Sequence, residues 1–205
     1  MSNDVSKQHW ENIYTNKSVQ DVSWFQAEPT ISLNIIQNIA DNKAQIIDVG
    51  SGTSTLVDHL LKLGYTNLAA LDISGKAIEI VKKRLLHHAN KVEWYENDIT
   101  EFTPLHTYDI WHDRAVFHFL TTDIARAAYK KALMQSTTSG SHAIIATFAK
   151  DGPQKCSGLN IMQHDNASIK QEFGDEFVLL QNQLETHRTP NGSEQRFIYF
   201  VLRRK

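Results

Sequence analysis

The sequence predicts an α/β fold in which a mostly parallel sheet, covered by helices on both faces, ends in an antiparallel hairpin. Three observations support this prediction. Five short apolar runs alternate with stretches of helical periodicity, turn-forming or polar residues bound the runs, and two later runs follow each other without a helix between them. Strands that alternate with helices favour parallel pairing through right-handed crossovers.

The alternating elements can be placed in chain order. The five strands are predicted at residues 45–49, 67–71, 92–95, 108–111 and 142–148. Helical stripes of apolar side chains lie between them, at residues 56–61, 77–85 and 125–133. The predicted helix ends are Gly64 after the first stripe, Ser74 before the second, and Thr121 or Thr122 followed by Asp123 before the third.

The last third of the chain departs from this alternation. Residues 177–184 and 195–202 are both typical of strands, and the residues between them include the turn formers Pro190, Asn191 and Gly192. This connection is too short for a crossover helix. We therefore expect the two strands to pair as an antiparallel hairpin.

Composition limits the class of protein. A chain of 205 residues fits one domain, which we divide into a helical cap (residues 1–42) and a core (residues 43–205). The net charge of −2 gives no footprint for nucleic acid, and no run reaches the roughly 18 apolar residues of a membrane span. The single cysteine indicates a reducing compartment. We expect a cytoplasmic protein without nucleic-acid or membrane partners and without a metal site; the oligomeric state is not indicated.

The segment IIDVGSGTSTL, residues 46–56, is the most informative stretch of the chain. A buried strand enters a glycine turn, and a helix is expected to begin near residues 53–55. Gly50 and Gly52 allow the backbone to approach a ligand closely. Asp72 ends the next strand, 20 residues after Gly52, where a carboxylate can accept both hydroxyls of a ribose.

Two features of this segment distinguish between cofactors. The dinucleotide fingerprint G-x-G-x-x-G has a third glycine where this chain has Thr55. Asp48 lies two residues before Gly50, where its charge would be unfavourable beside a diphosphate. A positively charged ligand would tolerate Asp48 better.

Asp48, Gly50, Gly52, Asp72 and Asp98 together resemble the pattern of class I S-adenosylmethionine-dependent methyltransferases. The resemblance implies a Rossmann-like sheet of seven strands in the order 3-2-1-4-5-7-6, with the last strand antiparallel. It implies that S-adenosylmethionine is the cofactor, with its ribose at Asp72, its adenine at Asp98 and Ile99, and its methionine part at the glycine turn. The further cofactor-binding residues that it suggests are Ser51, Thr55, Ile73 and Trp24.

The predicted fourth strand ends near the methyl acceptor. His112, Asp113 and Arg114 follow it, and we take them as candidate catalytic residues. A lysine acceptor costs about 4.6 kcal/mol to deprotonate at pH 7. Asp113 could orient such an amine and lower this cost, and His112 is the alternative base.

Two groups of methyltransferases resemble this chain more closely. WHDRAVFHFL, DGPQKCSGL and HRTPNG are similar to uncharacterised bacterial class I enzymes. HWENIYTN and SWFQ, with Asp113 and Arg114, are more distantly similar to lysine methyltransferases of elongation factor and citrate synthase. Those enzymes have Asp-Lys-Gly where this chain has Asp113-Arg114-Ala115.

The methyl acceptor therefore stays open among a protein lysine, a small carboxylate or amine, and a thiol. Two other functions are kept as alternatives. One is a nicotinamide-dependent oxidoreductase on a related fold, and the other is a non-catalytic module that binds S-adenosylmethionine.

Overall fold

The computed structural model describes residues 3–205, with side chains from residue 6 onwards. Its strands in chain order are β1 (Gln45–Val49), β2 (Asn67–Asp72), β3 (Val92–Glu96), β4 (Ile110–Arg114), β5 (His142–Phe148), β6 (Lys155–Cys156), β7 (Leu159–Asn160), β8 (Phe177–Arg188) and β9 (Glu194–Arg204). Its helices are α1 (Asn3–Asn16), α2 (Thr30–Ile39), α3 (Leu56–Lys62), α4 (Gly75–Leu85), α5 (Asp123–Ser136) and α6 (Asn166–Phe173). In residues 3–205, none of the helices has the length and apolar character of a membrane span.

Seven of these strands form one sheet in the order β3-β2-β1-β4-β5-β9-β8. Strands β1 to β5 pair in parallel, whereas β9 runs antiparallel to both of its neighbours. The predicted order 3-2-1-4-5-7-6 is confirmed, because β8 and β9 are the sixth and seventh strands of this sheet. The small hairpin of β6 and β7 was not predicted; Ser157 and Gly158 form its turn, both with positive φ.

Several predicted helix ends are confirmed. The Ser74 hydroxyl accepts a hydrogen bond from the Ala77 N–H at the start of α4, and the Thr122 hydroxyl accepts one from the Ala125 N–H at the start of α5. Helix α6 was not predicted, because its eight residues are too few to show a clear helical periodicity. The predicted boundary at residue 42 stays a prediction, with α1 and α2 preceding it.

Successive residues of each strand point to opposite faces of the sheet, which produces two buried layers. One layer joins alternate strand residues such as Ile46 and Ile110 to α2, α3 and α4. The other joins their neighbours Ile47 and Trp111 to α5 and α6. Which layer a residue enters therefore depends on its exact position in the strand.

The predicted position of β4 is wrong by two residues at its start and three at its end. The Tyr108 N–H donates to the Ser136 carbonyl at the end of α5 and not to a strand, and the register with β1 begins at Ile110, opposite Ile46. His112, Asp113 and Arg114 therefore lie inside the strand and not after it. Their side chains alternate between the two faces.

The backbone directly after β4 leads to a testable prediction. Ala115 has a φ of 72°, in the left-handed region that costs a residue with a Cβ about 1 to 2 kcal/mol. We expect Ala115→Gly to raise the free energy of unfolding by about 0.5 kcal/mol, because relief of this strain exceeds the entropy that glycine adds to the unfolded chain. Urea denaturation measures this change. Ala143→Gly, within β5, is the control and should destabilise; equal losses in the two variants would contradict the prediction.

Candidate active site

A cleft lies at the carboxyl ends of β1, β2 and β4, where ligands bind in open parallel sheets. Helix α1 and the segment between α1 and α2 form its opposite wall. Of the predicted cofactor-binding residues, most line this cleft: Asp48, Gly50, Ser51, Asp72, Ile73, Asp98, Ile99 and Trp24. Two of them, Gly52 and Thr55, do not.

The two glycines of the turn leave space that neighbouring side chains of the protein occupy. Gly50 and Gly52 have φ values of 61° and 50°, which favour glycine. A Cβ on Gly50 would lie 1.9 Å from Val116 Cγ2, and a Cβ on Gly52 would lie 2.4 Å from Tyr14 Oη. Side chains at these positions would therefore displace Val116 or α1.

Thr55 connects the turn to the cap instead of facing the cleft. Its hydroxyl lies 3.1 Å from the carbonyl oxygen of Gln26 and 3.2 Å from that of Ala27, and it donates toward both. It is also the N-cap residue of α3, which begins at Leu56, just after the predicted range. Thr55 thus holds the segment between α1 and α2 against the core.

Asp72 is a buried carboxylate in the cleft wall. Its Oδ2 accepts a hydrogen bond from the Gly52 N–H at 2.7 Å, and its Oδ1 accepts one from the Ser74 N–H at 2.8 Å. Burial raises the pKa of Asp72 to about 6, because these backbone donors offset only part of the desolvation; the charge of Asp48 also raises it. Each oxygen keeps a lone pair for a ligand hydroxyl.

The turn after β3 adds Asp98 and Ile99 to the same wall. The Asn97 N–H donates to the Asp72 carbonyl at 3.0 Å, which draws this turn beside the end of β2. Asp98 Oδ1 accepts hydrogen bonds from both the N–H and the hydroxyl of Thr100. The structure therefore brings together the acids that end three neighbouring strands.

His112 lies in the floor of the cleft with both ring nitrogens engaged. Its Nδ1 lies 2.7 Å from Asp48 Oδ1, and its Nε2 lies 2.8 Å from the Ser32 hydroxyl. All three side chains are buried. Ser32, on α2, was missed from the sequence, because nothing local marks a contact 80 residues away.

Asp113 does not face the cleft. It is fully buried on the α5 side of the sheet, where its carboxylate accepts hydrogen bonds from the Tyr129 hydroxyl and from the N–H groups of Val116 and Phe117. Burial raises the pKa of Asp113 to about 6 in spite of these donors. The alternation within β4 thus points Asp113 away from the cleft where we expected it to orient a methyl acceptor. Its carboxylate fixes the turn after β4 instead.

Arg114 returns to the cleft side. Its Nε donates to the Tyr199 hydroxyl at 3.0 Å and its Nη1 donates to the Trp24 carbonyl at 3.1 Å. Its Nη2 lies 3.6 Å from Glu185 Oε2, and its guanidinium stacks 4.3 Å from the Phe197 ring. Glu185 and Tyr199 were missed from the sequence, because only the register of β8 and β9 brings them to Arg114.

Four aromatic side chains pack together on the cap side of the cleft. The Trp10 ring lies 5.8 Å from the Trp24 ring and 5.2 Å from the Phe119 ring, both edge to face, and Tyr14 lies 6.4 Å from Trp24. Burial holds the pKa of Tyr14 well above its usual value, so its hydroxyl stays neutral. Trp10, Tyr14 and Phe119 line the cleft together with Trp24, and the sequence had indicated only Trp24.

Cys156, in the β6–β7 hairpin, also lines the cleft. Burial raises the pKa of its thiol to about 12, so it is protonated and weakly nucleophilic at neutral pH. In the part of the chain that the structure describes, no group of three or more His, Cys, Asp or Glu side chains could hold a metal ion.

Comparisons with known proteins agree with this geometry. The model of a family described as a methyltransferase domain matches residues 46–137. EEF1A lysine methyltransferase 2 of Danio rerio is 31% identical over 127 residues, which are 55% of this chain and 53% of that protein. The chain thus spans about half the length of the curated relative that it matches.

Solved structures show the same fold. An S-adenosylmethionine-dependent methyltransferase from Anabaena variabilis superposes with a TM-score of 0.76 at 15% identity, covering 100% of this chain and 96% of that one. Magnesium protoporphyrin IX methyltransferase from Synechocystis, with bound S-adenosylhomocysteine, gives a TM-score of 0.68 at 19% identity, covering 97% and 94%.

The contacts of Asp113 predict a structural effect. We expect Asp113→Ala to lower the free energy of unfolding by about 3 kcal/mol, because it leaves three buried donors without an acceptor. Tyr129→Phe removes one of these donors and also the acceptor of the buried Trp111 indole N–H, so it should cost about 2 kcal/mol. Urea denaturation of both variants tests this, and an Asp113→Ala variant as stable as the wild type would refute it.

Proposed function

We propose that this chain is a class I S-adenosylmethionine-dependent methyltransferase, whose cleft binds S-adenosylmethionine and directs the methyl group to a nucleophile at the β4 edge. One observation carries the proposal. Asp48 and Asp72, at the ends of β1 and β2, share one cleft with Asp98 in the turn after β3, and Asp48 Oδ2 is buried without a hydrogen-bond partner among the described residues. A ligand with positive charge would supply that partner.

The residues present fit this cofactor part by part. Asp72 offers lone pairs to the ribose hydroxyls, and Asp98 with the apolar Ile99 provides an acceptor and a packing surface for adenine. Asp48 faces the methionine part, where the ammonium and the sulfonium both carry positive charge. The acidic wall therefore complements the charge of the ligand.

When bound, S-adenosylmethionine supplies an electrophilic methyl group that is transferred by in-line displacement. The contribution of the chain is to hold the donor and the acceptor in line, which in well-oriented systems is worth about 7 to 11 kcal/mol. Trp24, Phe25 and Phe119 line the same cleft as Arg114. These aromatic side chains exclude water from the path of the methyl group.

The acceptor that we propose is an amine nitrogen, with a protein lysine as the first candidate and a small amine as the second. Only the neutral amine has the lone pair that attacks. Aromatic walls desolvate an ammonium and so favour its neutral form. The relative named as a lysine methyltransferase supports the protein candidate.

His112 and Asp113 have no role as bases in this proposal. The nitrogens of His112 are bonded to Asp48 and Ser32, and Asp113 is bonded on the other face of the sheet. Arg114 is kept as the residue nearest the acceptor. The match to the methyltransferase-domain model favours this proposal over the oxidoreductase alternative, and a non-catalytic module is one outcome of the test.

Incubation with S-adenosylmethionine labelled in the methyl group tests the activity. Purified protein is added to a cell lysate, and label is followed in protein bands and in the small-molecule fraction. Label in a discrete band supports a protein acceptor, and label only in small molecules would reject it. Binding of the cofactor without any transfer would favour the non-catalytic module.

The raised pKa of Asp72 predicts how cofactor affinity depends on pH. The carboxylate accepts ribose hydroxyls when ionised, so affinity for S-adenosylhomocysteine should rise with pH through 6. From pH 5 to 7.5 the gain should be about tenfold. Asp72→Asn should bind more weakly at pH 7.5 and show little pH dependence.

Isothermal titration calorimetry at the two pH values measures both effects. Asp113→Asn is the matched control, because Asp113 has a similarly raised pKa but lies outside the cleft. It should keep the pH dependence of the wild type. An Asp72→Asn variant with an unchanged pH profile would refute the role of Asp72.

A further inference from the structure

Three buried polar side chains form a continuous row beneath the cleft. Ser32 on α2, His112 on β4 and Asp48 on β1 are joined by contacts of 2.8 Å and 2.7 Å. They are 0%, 3% and 4% exposed, so water does not compete for these hydrogen bonds. Three separate elements of the core thus meet at one carboxylate.

The row determines how Asp48 is oriented. In the neutral tautomer with the proton on Nδ1, His112 donates to Asp48 Oδ1 while its Nε2 accepts from the Ser32 hydroxyl. The terminal torsion of an aspartate has a broad energy minimum, so the carboxylate can rotate. A hydrogen bond to one of its oxygens restricts this rotation and thereby fixes the position of the other oxygen. Here Oδ1 is held, which also fixes Oδ2, the buried oxygen without a partner among the described residues, on a side chain that lines the cleft.

We infer that Ser32 and His112 are positioning residues that aim Asp48 Oδ2 at the ammonium of the amino-acid part of the cofactor. This inference rests on the proposed function. It gives His112 a role in cofactor recognition, transmitted through Asp48, in place of proton transfer from the acceptor. Ser32 in turn holds the imidazole so that Nδ1 faces the carboxylate.

A purely structural role for the row makes a different prediction. If His112 and Ser32 only stabilise the core, their loss weakens every ligand of the cleft alike. If they aim Asp48, their loss weakens only ligands that carry the amine. Two ligands that differ in this amine alone therefore separate the alternatives.

The experiment compares S-adenosylhomocysteine with its analogue that lacks the α-amine and keeps the carboxylate. Calorimetry on the full chain should show that the wild type prefers the ligand with the amine. In His112→Leu the affinity for S-adenosylhomocysteine should fall about tenfold, and that for the analogue less than about twofold. His112→Asn, whose amide nitrogen can replace Nδ1 as donor, should restore most of the preference.

Ser32→Ala provides a second and milder test, which is used if the His112→Leu variant does not fold. It should lose about threefold in affinity for S-adenosylhomocysteine alone. Ser136→Ala is its control, because Ser136 is equally buried and its hydroxyl has no partner among the described residues; it should change neither affinity.

Equal losses for the two ligands, or a wild type without preference for the amine, would overturn the positioning role. A wild type that binds neither ligand would reject the proposed function itself.

Discussion

The burial of two carboxylates at the ends of adjacent parallel strands is the constraint on which the rest of the site depends. Asp48 and Asp72 are 4% and 5% exposed, and burying charge is costly unless donors or cations compensate for it. The fold supplies the donors: the Gly52 and Ser74 N–H groups for Asp72, and His112 for one oxygen of Asp48. The remaining oxygen of Asp48 explains why the cleft suits a cation.

This constraint extends to parts of the chain that touch no ligand. Gly52 has its conformation because its N–H must reach Asp72, and the space that it leaves is filled by the Tyr14 hydroxyl of α1. Thr55 then ties the segment after α1 to the start of α3. The N-terminal segment and the glycine turn therefore pack as one structural unit, although the residues in contact are 28 to 38 positions apart in the sequence. These contacts hold α1 and the segment after it against the opposite wall of the cleft.

The sequence predicts the strands, their order and the acids at the ends of β1, β2 and β3, because hydrophobic alternation and turn chemistry are local. It does not predict which face of β4 each polar residue takes. Strand β4 ends three residues later than predicted, so residues 112–114 alternate within it: His112 and Arg114 lie on the cleft side, and Asp113 points towards Tyr129. Contacts between distant elements, such as those of Ser32 with His112 or Glu185 with Arg114, leave no local signal at all.

The central claim is that S-adenosylmethionine binds between the acidic strand ends and α1. Amide hydrogen exchange with and without S-adenosylhomocysteine tests it most directly, since it reports on each backbone segment separately. The account predicts slower exchange in the turn at residues 97–100 and in residues 6–16 of α1, with β9 unchanged as an internal reference. Saturating ligand that leaves both segments unchanged, or protects only a site elsewhere, would contradict it.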